Sequence, residues 1–192
     1  ISGLADGVSD GSYAPNQVTY LGTDVGWIPD AHGASQTDPA DADSDDDGLC
    51  DGPQAVGGIC IGGEDRDGDG ARAVDETDPL DADSDDDALV DGDEDVNGDG
   101  VMGAVETSAL VTDSDGDGLD DGLEQGAPAA VPGGSSDGWA GLFFAGTDTV
   151  RLADADPTVN TDPRDADSDG DGADDGVEDS NQDGAVDSSE TE

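Results

Sequence analysis

The sequence predicts a mostly irregular fold of loop repeats that form an elongated rod, with little helix and a few short strands in the insertions. Three observations lead to this fold class. The 192 residues include 52 Asp and Glu against four Arg and no Lys, which gives a net charge of -48. Leu, Ile, Val and Phe together number only 31, too few to offset chain entropy by apolar burial. The aspartates are not scattered but recur at fixed spacings.

This composition excludes several classes of protein. A nucleic-acid-binding protein would need a basic face, and a membrane-inserted protein would need an apolar run of about 18 residues. The chain has neither. The sequence also lacks a Ser/His/Asp or Cys/His grouping, since its one histidine is His32. We therefore expect no enzymatic activity, no nucleic-acid partner and no membrane insertion.

The first repeat, called the A loop, reads D-S-D-x-D-[GA]-x-x-D-G-x-E. It is complete in Asp83–Glu94, Asp113–Glu124 and Asp167–Glu178. An earlier copy starts at Asp43 and contains ten extra residues, 53–62. In that copy Glu64, rather than Gln54, is predicted to occupy position 12, and a disulfide between Cys50 and Cys60 would close the neck of the excursion.

The second repeat, called the B loop, reads D-x-[DN]-x-D-G-x5-E and directly follows three of the four A loops. Its copies are Asp65–Glu76, Asp95–Glu106 and Asp179–Glu190. A linker of six residues, Thr-Asp-Pro-x-Asp-Ala where intact, leads into the next A loop. One unit therefore has twelve, twelve and six residues, and the second and third A loops do start 30 residues apart.

The repeats divide the chain into four segments. Residues 1–36 hold a partial repeat and an aromatic insertion, 37–124 an array of repeats, 125–160 a second aromatic insertion and 161–192 a further array. The insertions contain Trp27 and Trp139, and their short apolar runs 18–21 and 142–145 are predicted strands. Each insertion is either an apolar plug that packs on the rod or a patch that contacts another copy.

The D-x-D-x-D spacing places three carboxylates on one side of a tight turn, which suits the six to eight oxygen ligands of Ca²⁺. Glycine at position 6 permits the turn, position 7 supplies its carbonyl, and the longer Glu at position 12 reaches back. We therefore predict calcium-stabilised loop repeats with about seven sites. The candidate ligands are Asp43, Asp45, Asp47, Asp51 and Glu64; Asp65, Asp67, Asp69, Ala71 and Glu76; Asp83, Asp85, Asp87, Asp91 and Glu94; Asp95, Asn97, Asp99, Val101 and Glu106; Asp113, Asp115, Asp117, Asp121 and Glu124; Asp167, Asp169, Asp171, Asp175 and Glu178; and Asp179, Asn181, Asp183, Ala185 and Glu190.

The distribution of glutamate separates this hypothesis from a merely acidic surface. Seven of the eight Glu occupy position 12 of a loop, and only Glu192 does not. A solvated acidic tail or a salt-adapted surface would not reserve Glu for one position. Magnesium is the alternative metal, although a flexible loop with a bidentate Glu suits Ca²⁺ better. Six linker aspartates are either further ligands or turn-forming residues: Asp38, Asp41, Asp78, Asp81, Asp162 and Asp165.

The phrases that start at Thr77 and Asp113, TDPLDADSD and DSDGDGLDDG, resemble bacterial thrombospondin type 3 repeats. The resemblance covers about 37–124 and 161–192. It implies a chain with little regular secondary structure that wraps around a row of calcium ions in a secreted or cell-surface protein. Ala88 departs from the pattern at position 6, and the linker 107–112 lacks the Asp-Pro pair.

These observations favour an extracellular or cell-surface structural protein, a rigid calcium-loaded rod that forms part of a surface fibre or filament. Self-association into a fibre, or tandem copies, would suit the long repeat of 124 residues that relates Gly22-Thr23-Asp24 to Gly146-Thr147-Asp148. Two alternatives stay open. One is a calcium-stiffened spacer in a larger adhesin or envelope protein, and the other is an acidic calcium store or mineral-nucleating protein.

Overall fold

The computed structural model describes residues 37–38, 40–138, 142–148 and 154–185, and the backbone of 11–13 and 18–20. Most of these residues lie in turns and bends, because loops rich in Gly and Asp favour neither helix nor strand. The prediction of a mostly irregular chain with little helix and short strands is confirmed. The strands are β1 (Gly11–Tyr13), β2 (Val18–Tyr20), β3 (Leu49–Cys50), β4 (Ile61–Gly62), β5 (Gly134–Ser135) and β6 (Phe143–Phe144), and the helices are α1 (Asp91–Glu94), α2 (Asp121–Glu124) and α3 (Asp175–Glu178).

The strands form three separate pairs. The pairs β1–β2 and β5–β6 are antiparallel and lie in the two aromatic insertions. Strands β2 and β6 lie in the apolar runs where strands are predicted, whereas their partners β1 and β5 lie outside those runs. The pair β3–β4 is parallel and sets Leu49 opposite Ile61 at the two ends of the excursion in the first A loop. Since each pair has only two strands of two or three residues, the sheets cannot supply an extended core.

The two ends of the ten-residue excursion in the first A loop lie next to each other. Cys50 and Cys60 are buried, with their sulfur atoms at the disulfide distance of 2.03 Å and their Cα atoms 5.2 Å apart. The Glu64 N–H then donates to the Cys50 carbonyl at 3.1 Å. Glu64 is thereby returned to the interior, with 1% of its surface exposed, whereas Gln54 lies exposed on the excursion.

Each of the three helices is a single turn that occupies positions 9 to 12 of an A loop. From the sequence we expect no helix here, because an EF-hand helix of about ten residues cannot fit where Glu94 directly precedes the Asp95 loop. The structure shows that a helical turn of four residues fits at the end of the A loop. The N–H of Glu94 donates to the Val90 carbonyl at 3.3 Å, and that of Glu124 donates to the Asp120 carbonyl at 3.2 Å. The turn ends where the next loop begins.

Successive A loops contact each other even where a B loop separates them in the sequence. The Gly122 N–H in the third A loop donates to Asp87 Oδ2 in the second at 3.1 Å, and the Gly176 N–H in the fourth donates to Asp117 Oδ2 in the third at 2.6 Å. A Cβ atom at Gly122 would lie 2.0 Å from the Asp87 carbonyl oxygen. Position 10 therefore has to be glycine where two A loops meet.

The described part of the 125–160 insertion folds back over the first two A loops. The Ala145 N–H donates to the Leu80 carbonyl at 2.8 Å, and the Ser136 hydroxyl donates to Asp41 Oδ2 at 2.7 Å. The Thr147 hydroxyl also donates to Asp83. These contacts support the prediction that the insertion packs on the repeats, while contact with another copy stays a prediction. Trp139 and Trp27 lie outside the described residues.

The interior of the described chain is more acidic than apolar. Sixteen carboxylate side chains are buried, against seven apolar residues. The apolar set is Leu49, Cys50, Cys60, Ala82, Ala109, Leu119 and Leu123. None of the helices described has the length and hydropathy of a membrane span. Because so few apolar groups are buried, the fold needs another source of stability.

We expect Gly122→Ala to destabilise the chain by about 1–3 kcal/mol, because the new methyl group would overlap the Asp87 carbonyl where two A loops meet. Gly52→Ala is the matched control, since Gly52 holds the same position 10 in the first A loop and a Cβ there meets no atom within 4 Å. Denaturant unfolding in excess calcium measures both variants. Equal stability of the two would contradict the stacking of A loops.

Candidate metal centres

All seven loops share one hydrogen bond that closes the turn. The carboxylate at position 1 accepts the N–H of position 6 at 2.6 to 3.2 Å, so both ends of the acidic run are tied together. This bond orients the first carboxylate across the loop. The pairs are Gly48 to Asp43, Gly70 to Asp65, Ala88 to Asp83, Gly100 to Asp95, Gly118 to Asp113, Gly172 to Asp167 and Gly184 to Asp179.

A second bond, also present in all seven loops, orients the carboxylate at position 5. Its Oδ1 accepts the N–H of position 7 at 2.6 to 3.1 Å, and in the second and third A loops its Oδ2 accepts the N–H of the position-10 glycine in the next A loop. The pairs are Leu49 to Asp47, Ala71 to Asp69, Leu89 to Asp87, Val101 to Asp99, Leu119 to Asp117, Ala173 to Asp171 and Ala185 to Asp183. The loops thus have a common frame despite their different sequences.

Ala88 is the one residue at position 6 that is not glycine. Its φ is +80°, a left-handed conformation that costs an alanine energy and a glycine none. The Ala88 N–H nevertheless donates to Asp83 Oδ2 at 3.0 Å, as its glycine counterparts do. The second A loop therefore keeps the common frame at a residue where the sequence departs from the pattern.

The first A loop brings its carboxylates together in two overlapping groups. Oxygens of Asp43, Asp45 and Asp47 lie within 4.8 Å of one another, and so do oxygens of Asp47, Glu64 and Asp91. All five residues are at least nine-tenths buried. Three carboxylate oxygens at this separation can surround a single ion, whose Ca–O distances are about 2.3–2.6 Å.

The second A loop repeats this arrangement. Its groups are Asp83, Asp85 and Asp87, and then Asp87, Glu94 and Asp121. In both loops the third member of the second group, Asp91 or Asp121, comes from position 9 of the next A loop. The sequence predicts Asp51, Asp91, Asp121 and Asp175 as ligands but does not reveal that a position-9 carboxylate joins the preceding loop.

The other loops are more open. In the third A loop Asp113, Asp115 and Asp117 are half-buried, and in the fourth Asp169 and Asp171 are exposed. Glu124 is buried with 2% exposed, and Asp167 and Glu178 are partly exposed. In the first B loop, oxygens of Asp65, Asp67 and Glu76 form a group. In the second, Asn97 Nδ2 donates to Glu106 Oε1 at 2.5 Å. In the third, Asp179 accepts the Gly184 N–H and Asn181 is exposed, while Glu190 lies outside the described residues.

The buried carboxylates have oxygen atoms that no protein group contacts by a hydrogen bond. These atoms include both oxygens of Asp45, Asp47 Oδ2, Glu64 Oε2 and Asp91 Oδ2. Burial, reinforced by neighbouring carboxylates, raises the pKa of Asp47 to about 7, of Asp91 to about 8 and of Asp45 to about 9. An ionised form at neutral pH therefore needs a countercharge inside the cluster.

The described arginines do not supply this countercharge. Arg66 pairs with Asp75 at 2.9 Å, Arg72 with Asp78 at 3.1 Å and Arg164 with Asp162 at 2.9 Å, all at the surface. Arg66 also donates to the Asp99 and Gly100 carbonyls, and so joins the first B loop to the second. Within the described ranges, the loop carboxylates therefore face one another without a protein cation.

Threonine hydroxyls donate hydrogen bonds to the Glu at position 12, a role that the repeat pattern does not predict. The Thr77 hydroxyl donates to Glu64 Oε1 at 3.3 Å, and the Thr161 hydroxyl donates to Glu124 Oε1 at 2.9 Å. Each threonine opens the next linker, and the second bond spans the whole 125–160 insertion. The signal in the sequence is the Thr that follows every B loop and also follows that insertion.

The linker aspartates before proline act as turn residues. Oδ1 of Asp38 accepts the Ala40 N–H at 2.9 Å, and the same bond to residue i+2 recurs at Asp78 and Asp162. Asp41 binds Ser136, and Oδ1 of Asp81 is buried without a hydrogen-bond partner. Of the two interpretations of the linker aspartates, these bonds favour turn formation for the Asp-Pro positions.

No family model, curated protein or solved structure matches this chain. The buried, converging carboxylate oxygens of the described loops suit a hard cation.

The raised pKa values predict how the metal-free chain responds to pH. Folding raises the pKa of Asp43 from 3.8 to about 6 and that of Asp87 from 3.8 to about 8. Because the folded state then holds the proton more tightly than the unfolded state, these carboxyls stabilise the folded state fully below pH 4. This contribution is lost as pH rises from 4 to 8. We expect the metal-free chain to resist urea better at pH 4 than at pH 8, as measured by circular dichroism. Greater resistance at pH 8 would contradict the buried state of these carboxyls.

Proposed function

We propose that this chain is an extracellular calcium-binding structural protein, a rigid rod that forms part of a surface fibre or filament. One observation supports this function above the others. The carboxylates that converge within 4.8 Å in the first two A loops are buried, apart from the half-buried Asp85, and the arginines within the described ranges pair elsewhere, at the surface. An uncompensated group of this kind would be strongly unfavourable, so a bound cation is the natural source of stability.

Calcium suits the donor set better than other metals do. The donors are carboxylates with one backbone carbonyl per loop, which excludes ions that prefer sulfur or imidazole. Ca²⁺ accepts six to eight oxygens in a flexible geometry, whereas Mg²⁺ requires an octahedron and retains its waters. Glu at position 12 approaches the same group of oxygens as position 5 in both buried A loops. The resemblance of the A and B loops to thrombospondin type 3 repeats also supports calcium as the metal.

The stacking of A loops supports the mechanical role. The position-10 glycines of the third and fourth A loops donate to the A loop before them, and the first and second A loops each share a carboxylate group with the A loop that follows. Ions bound there would join residues about 40 positions apart, so the rod would stiffen as calcium is bound. Seven ions would cancel 14 of the 48 net negative charges, which leaves a soluble, anionic rod. The Cys50–Cys60 pair supports an oxidising, extracellular location.

The burial of the carboxylates also discriminates between the alternatives. A calcium store or mineral-nucleating protein needs exposed, unpaired carboxylates that exchange ions freely. Asp83, Asp91 and Asp121 have no measurable exposure, and Glu64 and Glu94 have 1% each. These values favour a structural role. A spacer within a larger adhesin would use the same rod.

We expect removal of calcium by a chelator at neutral pH to unfold the chain, because site formation and folding are one event. Small-angle scattering should give an elongated particle with calcium and a radius of gyration near that of an unfolded chain, about 47 Å, without it. Circular dichroism should change in parallel, and electron microscopy of the loaded chain at rising concentration should show fibres. An unchanged spectrum and radius after chelation would refute the calcium function, and persistent single rods would refute the filament role alone.

We expect Glu64→Gln to weaken calcium binding at the first A loop on the order of tenfold, because it removes one of the charged oxygens that converge with Asp47 and Asp91. Gln54→Ala is the control, since Gln54 is exposed and would hold position 12 only if the excursion were placed differently. An NMR titration of the Gly48 amide reports on this site. A larger effect from Gln54→Ala would show that the excursion has been assigned wrongly.

A further inference from the structure

A serine at position 2 of every A loop joins the linker before the loop to the carboxylate at position 9. The serine hydroxyl accepts a linker N–H at 2.8 to 2.9 Å in all four copies. The serine N–H donates to Oδ1 of the position-9 Asp at 2.7 to 3.1 Å. The linker donor, serine and carboxylate are Asp38, Ser44 and Asp51; Asp78, Ser84 and Asp91; Ser108, Ser114 and Asp121; and Asp162, Ser168 and Asp175.

The third A loop shows the complete arrangement. The Ser108 N–H donates to Ser114 Oγ at 2.9 Å, and Ser114 Oγ donates to Asp121 Oδ2 at 2.6 Å. The Ser114 N–H donates to Asp121 Oδ1 at 2.8 Å. Asp121 is thus held by both of its oxygens, and each oxygen retains a lone pair that can face a cation.

The carboxylate that this serine holds belongs to another loop's group. Asp121 lies with Asp87 and Glu94 of the second A loop, and all three are nine-tenths buried or more. The neighbouring Gly122 N–H donates to Asp87 Oδ2, which fixes the approach of the two loops. A serine in one loop therefore sets the position of an oxygen in the group of the loop before it.

Serine at position 2 and aspartate at position 9 occur together along the sequence. All four A loops have both. The first two B loops have neither, with Arg66 and Ala73 in one and Val96 and Gly103 in the other, and the third has both, Ser180 and Asp187. The joint occurrence is what a functional pair requires, since the serine hydroxyl has no carboxylate to hold when position 9 is apolar.

We propose that the serine at position 2 of an A loop that follows another A loop is a positioning residue for the metal site of that preceding loop. The inference rests on the calcium function proposed above. Through the position-9 carboxylate, the order of one A loop and metal binding at the A loop before it are coupled, and this coupling acts equally in both directions. Groups that hydrogen-bond a metal ligand typically change metal affinity by about 10- to 100-fold when they are removed.

The test is Ser114→Ala in the full chain, with calcium titrated against the amide signals of Ala88 and Gly172. These residues hold position 6 in the second and fourth A loops. We expect the half-saturating calcium concentration at Ala88 to rise about tenfold relative to that at Gly172. Ser114→Thr keeps the hydroxyl and should restore most of the affinity. Ser108→Ala is the matched control, because only the backbone of Ser108 takes part in these bonds.

A double-mutant cycle separates positioning from a general loss of structure. In an Asp121→Asn background, Ser114→Ala should add little further loss at Ala88, because its effect acts through that carboxylate. An equal loss in both backgrounds, or an unchanged ratio between Ala88 and Gly172, would overturn the proposal. If neither amide of the unmodified chain responds to calcium, the calcium function itself fails instead.

Discussion

The repulsion among buried carboxylates is the constraint on which the rest of this structure depends. Sixteen acidic side chains are buried in the described chain, and Asp45, Asp83 and Glu64 are almost fully inaccessible. In a medium of low polarity such groups must be neutralised by protons, by cationic side chains or by bound ions. The arginines described are paired at the surface, so within the described ranges the neutralising agents are protons or bound cations, and the two would compete for the same oxygens.

The hydrogen bonds within the loops determine which carboxylate oxygens face the interior of each acidic cluster. Backbone N–H groups donate hydrogen bonds to the carboxylates at positions 1 and 5 in all seven loops. In A loops, threonine hydroxyls donate to the Glu at position 12, and serine donates to the Asp at position 9. Each donor leaves part of the carboxylate free to face the cluster. A chain with only seven buried apolar residues among those described can therefore define the geometry of its carboxylates through its backbone rather than through side-chain packing.

The A and B loops have different roles in this architecture. A loops contact one another through position-10 glycines and shared carboxylates, whereas the B loops lie between them in the sequence. The 125–160 insertion takes the place of one B loop, and the Thr161–Glu124 bond is still formed across it. The same insertion binds the linkers of the first two A loops through Ser136 and Ala145, so the two more buried loops are also the covered ones.

The sequence alone determined the loops, because their carboxylates follow one another within twelve residues and their turn requires glycine or its equivalent at position 6. It also predicted the Cys50–Cys60 neck and the position of Glu64, since both predictions come from counting residues against the repeat. Tertiary structure decided what counting cannot show: that Asp91 and Asp121 join the preceding A loop, that single helical turns form at positions 9 to 12, and that the insertion folds back. The shared carboxylate groups and the folded-back insertion depend on contacts between residues some 30 to 100 positions apart, whereas the helical turns form through bonds to the residue four positions earlier. The local spacing of a repeat carries no information about which repeats will meet.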